Sequence, residues 1–139
     1  MKYTMNYALM LFAFGCMAQS NANEEVKNTI EAFAKAADQN DSKKLDQLLD
    51  DNFRIAMNQM FGSKEVQTVD KTFYLSKIES KEWGGDDREV TISDLVVVGK
   101  NATAKVMLVG SKSTMTSILS LVKTADGNWK ILQDIPTMS

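Results

Sequence analysis

Residues 119–131 read LSLVKTADGNWKI, and this stretch decides the class of fold. Two runs of apolar and β-branched residues flank the turn-type sequence ADGN, a pattern typical of a β-hairpin. Further upstream, glycine-containing turns at residues 99–101 and 110–112 separate runs of the same kind. We therefore expect residues 88–135 to form four strands joined by three hairpins, which is an antiparallel meander.

Helical periodicity precedes the strands. Val26, Ile30, Phe33 and Ala37 recur at spacings of four, three and four residues, which places them on one face of a helix. We expect this helix to begin near Glu24, because negative charge is favoured in the first turn of a helix.

A second helix is expected after a short polar break. Asp41 or Ser42 can cap its N-terminus, and the helix should end near Asp50. Its apolar residues are Leu45, Leu48 and Leu49.

A short strand and a third helix complete the N-terminal half. Phe53, Ile55 and Met57 alternate with more polar residues, which predicts a strand with one apolar face. Asp70 can cap a third helix that carries Tyr74 among its apolar residues, and residues 58–64 between them have the character of a loop.

Helices followed by strands predict an α+β fold. Residues 40–53 and 119–131 resemble the nuclear transport factor 2-like superfamily, and within it the branch of putative lumazine-binding and polyketide-cyclase-like proteins. The resemblance implies a cone-shaped, curved antiparallel sheet packed on N-terminal helices, with a pocket at the wide end. It also implies a single domain over residues 23–139 and a homodimer formed through the sheet.

The resemblance bears on catalysis as well. In the steroid-isomerase branch a tyrosine and an aspartate carry the chemistry, and their positions fall on Phe33 and about Met57 in this chain. Neither side chain can donate or accept a proton. The dehydratase branch relies on histidine, and this sequence has none. We therefore expect binding rather than catalysis.

The first 22 residues are typical of a secretory signal peptide. Lys2 precedes a short apolar run at residues 7–14, and small residues end at Ala22. We expect cleavage after Ala22 and an exported protein, either periplasmic or secreted. Cleavage after Ala18 is one alternative, and lipidation at Cys16, which would anchor the chain to a membrane, is another. A buried first helix would also account for the apolar run.

Composition excludes several classes of function. The chain has 139 residues, 16 Lys and Arg, 18 Asp and Glu, one Cys and no His. Without histidine there is no Ser-His-Asp triad and no imidazole metal ligand. The nearly balanced charge gives no basic surface for nucleic acid. We expect no metal and no cofactor, and a small apolar or aromatic molecule as the ligand.

Five residues are candidates for contact with that ligand: Met57, Tyr74, Trp83, Asp94 and Gln133. The flexible thioether of Met57 suits an adaptable apolar pocket. Tyr74 can present a hydroxyl to the pocket, or it can be a helix aromatic whose hydroxyl contacts water. Trp83, beside two glycines, is either a lid over the pocket or a hydrophobic plug.

The roles of Asp94 and Gln133 depend on the alternation of side chains along a strand. Asp94 shares its face with Val90 and Ile92, so it lies in the cavity unless a bulge near Ser93 reverses the alternation. Gln133 shares its face with Trp129, Ile131 and Ile135, so it contacts the ligand from the last strand, or it is a hydrogen-bonded core amide, or a second bulge reverses the alternation.

Residues 113–123 are apolar on both faces of the predicted strand. Ile118 and Val122 lie on one face, and Leu119 and Leu121 lie on the other. A strand that is apolar on both sides is buried on both sides. Either a partner subunit or the third helix must therefore cover the second face.

Three functions remain open from the sequence. The first is an exported, non-catalytic binding protein with an apolar pocket. The second is an interaction module of the cell envelope that dimerises through the sheet. The third is an isomerase, cyclase or dehydratase that uses Asp94 as its base and Tyr74 as its hydrogen donor.

Overall fold

A computed structural model describes the backbone of residues 8–139 and the side chains of residues 17–139. The described part of the chain folds as three helices against a six-stranded, curved and unclosed sheet, which confirms the predicted α+β class. The elements in chain order are α1 (Ala8–Asp38), α2 (Ser42–Leu48), β1 (Leu49–Asn58), β2 (Val66–Asp70), α3 (Lys71–Glu79), β3 (Glu89–Val98), β4 (Asn101–Val109), β5 (Thr114–Lys123) and β6 (Trp129–Met138).

Helix α1 buries the face that the periodicity predicts. Val26 and Ile30 are fully buried, and Phe33 and Ala37 are nearly so. The predicted start near Glu24 is wrong, because the helix begins at Ala8 and its residues 17–21 are exposed. The first seven residues of the predicted signal peptide and the Cys16 side chain lie outside what the structure describes. No helix in the described part of the chain is long and apolar enough to cross a membrane.

Helix α2 is shorter than predicted. It is capped by Asp41, whose side chain accepts a hydrogen bond from the backbone N–H of Lys44. The helix ends at Leu48, and Leu49 already begins strand β1. Leu49 is nevertheless fully buried, because its side chain reaches the core from the strand.

The sheet has the strand order β2-β1-β6-β5-β4-β3. Strands β3 to β6 form the predicted meander, and each pairs antiparallel with the next. Strand β1 joins this meander by pairing parallel to β6, which places β6 inside the sheet. Strand β2, an edge strand with only Val69 buried, was not predicted, because it lacks the alternation that signals a strand.

Two bulges reverse the alternation of side chains in the sheet. In β3 the pairing shifts between Ser93 and Val96, and Asp94 takes a positive φ of 51°. The inward face therefore passes from Ile92 to Leu95. In β6, Ile131 pairs with Leu121 and Gln133 pairs with Ser120, so Leu132 is the extra residue.

The second face of β5 is uncovered. Leu119 and Leu121 point into the core, whereas Ile118 on the opposite face is 53% exposed. Helix α3 packs on α2, β1 and β2 instead. The expectation that the third helix covers this face is therefore wrong.

Candidate functional site

A cavity of about 340 Å³ lies between the inner face of the sheet and the helices α1 and α3. Its inner wall is formed by buried side chains that include Phe33, Ile55, Met57 and Leu108. An apolar cavity of about 150 Å³ is enough for a benzene-sized molecule, so this one has room for a larger ring system.

The mouth of the cavity is more exposed and more polar than its inner wall. The exposed side chains of Phe61 and Met138 contribute apolar surface, and Glu82 and Lys112 contribute charges of opposite sign. The rim of the cavity is therefore in contact with solvent, whereas the deeper walls are mostly apolar.

The wall that carries Trp83 is fixed to the C-terminal end of α1. The side-chain amide of Asn40 donates hydrogen bonds to the carbonyls of Ile78, at 3.0 Å, and Trp83, at 2.7 Å. Gly84 has a φ of +77°, and a Cβ on it would lie 2.3 Å from the carbonyl oxygen of Ala37. Only glycine permits this approach, which holds the Trp83 ring at the cavity.

Tyr74 lies in a cluster of aromatic rings. Asp70 caps α3 by accepting from the backbone N–H of Phe73, and this start of the helix turns Tyr74 inward. The Tyr74 ring centroid lies 5.6 Å from that of Phe53 and 6.1 Å from that of Trp83. Its hydroxyl has no hydrogen-bond partner among the described residues. Burial raises the pKa of this hydroxyl, and the Asp134 carboxylate raises it further, so the phenol remains protonated.

Asp134 is the buried carboxylate of the cavity. The bulge at Leu132 turns it inward, where it is 6% exposed and lines the cavity. Its Oδ1 atom and the Ser117 hydroxyl are neighbours, and neither has a partner that meets hydrogen-bond geometry among the described residues. Burial raises the pKa of Asp134 to about 6, although the nearby Ser117 hydroxyl and the Arg88 guanidinium oppose the rise.

Arg88 is the buried cation of the same cavity, and it has its own partner. Its Nε lies 2.5 Å from Oδ1 of Asp38, and its backbone N–H donates to Oδ2 of Asp38 at 3.1 Å. The two side chains are 13% and 11% exposed. Because Asp38 neutralises Arg88, the charge of Asp134 is left without a direct partner.

The structure brings three of the five predicted site residues together. Met57, Tyr74 and Trp83 line the cavity, and their part in binding stays a prediction. Asp94 is exposed at the bulge of β3, and Gln133 is half-buried outside the cavity lining. The acid–base hypothesis therefore loses Asp94 as its base.

Asp134 was not among the predicted site residues, because Gln133 was chosen on the basis of an uninterrupted alternation in β6 and the possible second bulge was not followed to the residue that it turns inward. That alternation put Gln133 on the face of Trp129 and Ile131, and the bulge moves Asp134 there instead. The adjacent apolar pair Ile131 and Leu132 was the available signal, since one of two neighbouring apolar residues must leave the inner face or form a bulge.

The chemistry of the site follows from its side chains. A carboxylate with a pKa near 6 can accept a hydrogen bond or a proton at neutral pH, and the Tyr74 phenol can donate a hydrogen bond. Within the described part of the chain, no three His, Cys, Asp or Glu side chains are grouped so that they could hold a metal ion. Four methionines line the cavity: Met57, Met60, Met115 and Met138.

Fold and site together define an α+β cone with a ligand-sized apolar cavity. The family model described as putative lumazine-binding matches residues 21–135, and the chain belongs to this family. No curated protein shows significant sequence similarity to the chain.

Solved structures share the fold at low sequence identity. A nuclear transport factor 2-like protein of unknown function from Silicibacter pomeroyi has a TM-score of 0.75 and 15% identity, over 87% of this chain and 98% of that one. A similar protein from Shewanella baltica has a TM-score of 0.74 and 12% identity, over 86% and 95%. A putative ketosteroid isomerase from Shewanella frigidimarina has a TM-score of 0.60 and 16% identity, over 81% and 94%. These likenesses establish the nuclear transport factor 2-like fold.

The raised pKa of Asp134 predicts a pH dependence of stability. The unfolded chain releases this proton near pH 3.8, and the folded protein keeps it to about pH 6. The folded state therefore binds more protons between these values, and the free energy of unfolding falls as the pH rises through them. The whole shift corresponds to about 3 kcal/mol.

The replacement Asp134→Asn should remove this fall in the free energy of unfolding, and it should make the protein more stable than wild type at pH 7. Urea unfolding of both proteins between pH 4 and 8 measures the difference, and Asp94→Asn, at the exposed bulge, is the matched control. A difference between wild type and Asp134→Asn that does not change with pH would contradict the burial of an ionised Asp134.

Proposed function

We propose that this protein binds a small, mostly apolar molecule in the cavity between the sheet and the helices α1 and α3. The observation that carries the proposal is the cavity itself, about 340 Å³ in volume, with mostly apolar inner walls. A cleft of this size, lined mainly by apolar and aromatic side chains with a few polar groups, is typical of small-molecule sites. Membership of a family described as putative lumazine-binding supports a ligand-binding role.

Binding is favoured over catalysis by two side chains. Phe33 and Met57 occupy the positions to which the resemblance carries the tyrosine and the aspartate of the steroid-isomerase branch. Both line the cavity, and both are apolar. The cavity therefore presents contact surface at the positions where that branch presents its acid and its base.

Naphthalene is a suitable first probe, because its two fused rings are larger than benzene and carry no polar group. We expect the wild-type protein to bind it with a Kd on the order of 100 µM. Met115→Trp, which enlarges a half-buried side chain at the cavity, should weaken binding at least about tenfold by filling the space. Ligand-observed NMR measures both.

The matched control is Val66→Trp, which places the same indole on the exposed edge strand β2 and should leave binding unchanged. If wild type does not bind naphthalene, or if Met115→Trp binds it as well as wild type does, the proposed binding cavity is wrong.

We also propose that the uncovered face of the sheet forms a homodimer. Ile118 pairs across the strands with Ile135, and these side chains are 53% and 37% exposed. Thr116 and Thr137 adjoin them on the same face. An apolar centre with short polar side chains around it suits the packing of two sheets face to face.

Ile118→Glu should convert the dimer to a monomer, because two buried carboxylates would face an apolar surface without partners. Analytical ultracentrifugation at micromolar concentration measures the change, and circular dichroism shows whether the fold is retained. Val66→Glu is the control on an exposed strand residue outside this face. A monomeric wild-type protein would rule out this homodimer.

We further propose that the protein is exported, with a signal peptide at residues 1–22. Lys2, the apolar run that follows it and the small residues that end at Ala22 support the proposal. The exposure of residues 17–21 on α1 supports it as well, because removal of exposed residues costs the core little.

Intact-mass measurement of the chain expressed with its own N-terminus tests the export. A mass that begins at Asn23 is expected. A mass increase that corresponds to a lipid on Cys16 would show an anchored protein instead, and an unprocessed mass would contradict export.

A further inference from the structure

The buried acidic groups of the cavity region outnumber its buried cation by one, and the excess negative charge lies on Asp134. Asp134 is 94% buried, and its Oδ1 atom has no partner that meets hydrogen-bond geometry among the described residues. The neighbouring Ser117 hydroxyl can donate to it, but this group carries no charge. A buried carboxylate without an ionic partner costs several kcal/mol, and proteins ordinarily avoid it. A charge left in this state at a cavity wall is suited to a partner that comes from outside.

The neighbouring Arg88 guanidinium does not balance the charge of Asp134. Arg88 lies close enough to influence Asp134, but its Nε is held at 2.5 Å by Asp38. The buried charges of Asp38 and Arg88 cancel, so the Asp134 carboxylate leaves the deep part of the cavity with one net negative charge.

The charged groups at the mouth do not balance it either. The Lys112 ammonium group donates a hydrogen bond to the carbonyl oxygen of Gly85 at 2.9 Å. Glu82 forms an ion pair with Lys77 at 2.6 Å. Asp86 accepts hydrogen bonds from Ser111 and from the backbone of Lys112. The charged groups at the mouth therefore already have partners at the rim of the cavity.

The walls around Asp134 suit the rest of a positively charged ligand. Phe33, Tyr74 and Trp83 all line the cavity, and their rings can contact both an apolar body and a cation through their faces. The Tyr74 hydroxyl, also without a partner, can accept one further hydrogen bond from an ammonium group.

We infer that the ligand is a small aromatic or apolar monocation, such as a protonated amine, whose nitrogen is bound by the Asp134 carboxylate. The inference rests on the proposed binding function and specifies its ligand class. The ligand supplies the one positive charge that the cavity lacks, and its apolar part fills the space against the aromatic rings and methionines.

Two probes of the same shape test the inference. Naphthalen-2-ylmethylamine is a cation at pH 7.5, and naphthalen-2-ylmethanol is its neutral counterpart. Because a hydrogen bond to a charged group is worth more than a neutral one, the wild-type protein should bind the amine roughly tenfold or more tightly than the alcohol. Ligand-observed NMR or calorimetry gives both dissociation constants.

Asp134→Asn keeps the shape of the side chain and removes its charge, so the preference for the amine should fall to about one. Asp94→Asn makes the same change at an exposed site outside the cavity, and it should keep the wild-type preference. The comparison separates the effect of Asp134 from a general attraction of cations to a chain with net charge −2.

The outcomes distinguish the two proposals. Equal affinities of the wild type for amine and alcohol would overturn the inference and leave the binding cavity intact. A preference that persists in Asp134→Asn would overturn it too. If neither probe nor naphthalene binds, the proposed binding function itself is wrong, and the inference falls with it.

Discussion

The alternation of side chains across a β-strand is the constraint on which the rest of this structure depends. A strand sends successive residues to opposite faces, so one extra residue exchanges the two faces from that point on. This happens at Asp94 in β3 and at Leu132 in β6. The first bulge sends an aspartate to solvent and lets Leu95 and Val97 continue the core. The second bulge turns Asp134 toward the core.

The bulge in β6 also has an electrostatic consequence, because it buries a carboxylate. A carboxylate in an apolar cavity disfavours folding in its ionised form, and the fold nevertheless places Asp134 there without a direct partner. Arg88 is available nearby, yet the chain pairs it with Asp38 at the end of α1. Polar groups that a fold keeps buried and unsatisfied at a cavity wall are typical of functional sites, where stability is given up for binding or chemistry.

Two contacts between distant parts of the chain position the walls of the cavity. Asn40 and Gly84 fasten the segment after α3 to the end of α1, and this contact fixes one wall. The parallel pairing of β1 with β6 brings Ile55 and Met57 opposite that wall. Neither contact is local in sequence, since the groups that form them lie some tens of residues apart.

The sequence by itself determined the three helices, strand β1 and the four-stranded meander, the α+β class, the core face of α1 and the cap at Asp70, because these depend on residues within a few positions of one another. It also gave Met57, Tyr74 and Trp83 as candidates. Only the tertiary structure decided which polar residue enters the cavity, that Ile118 lies uncovered and that β1 pairs with β6. The physical reason is that bulges and strand partners are selected by the packing of the whole sheet, and a local pattern contains no information about its distant partner.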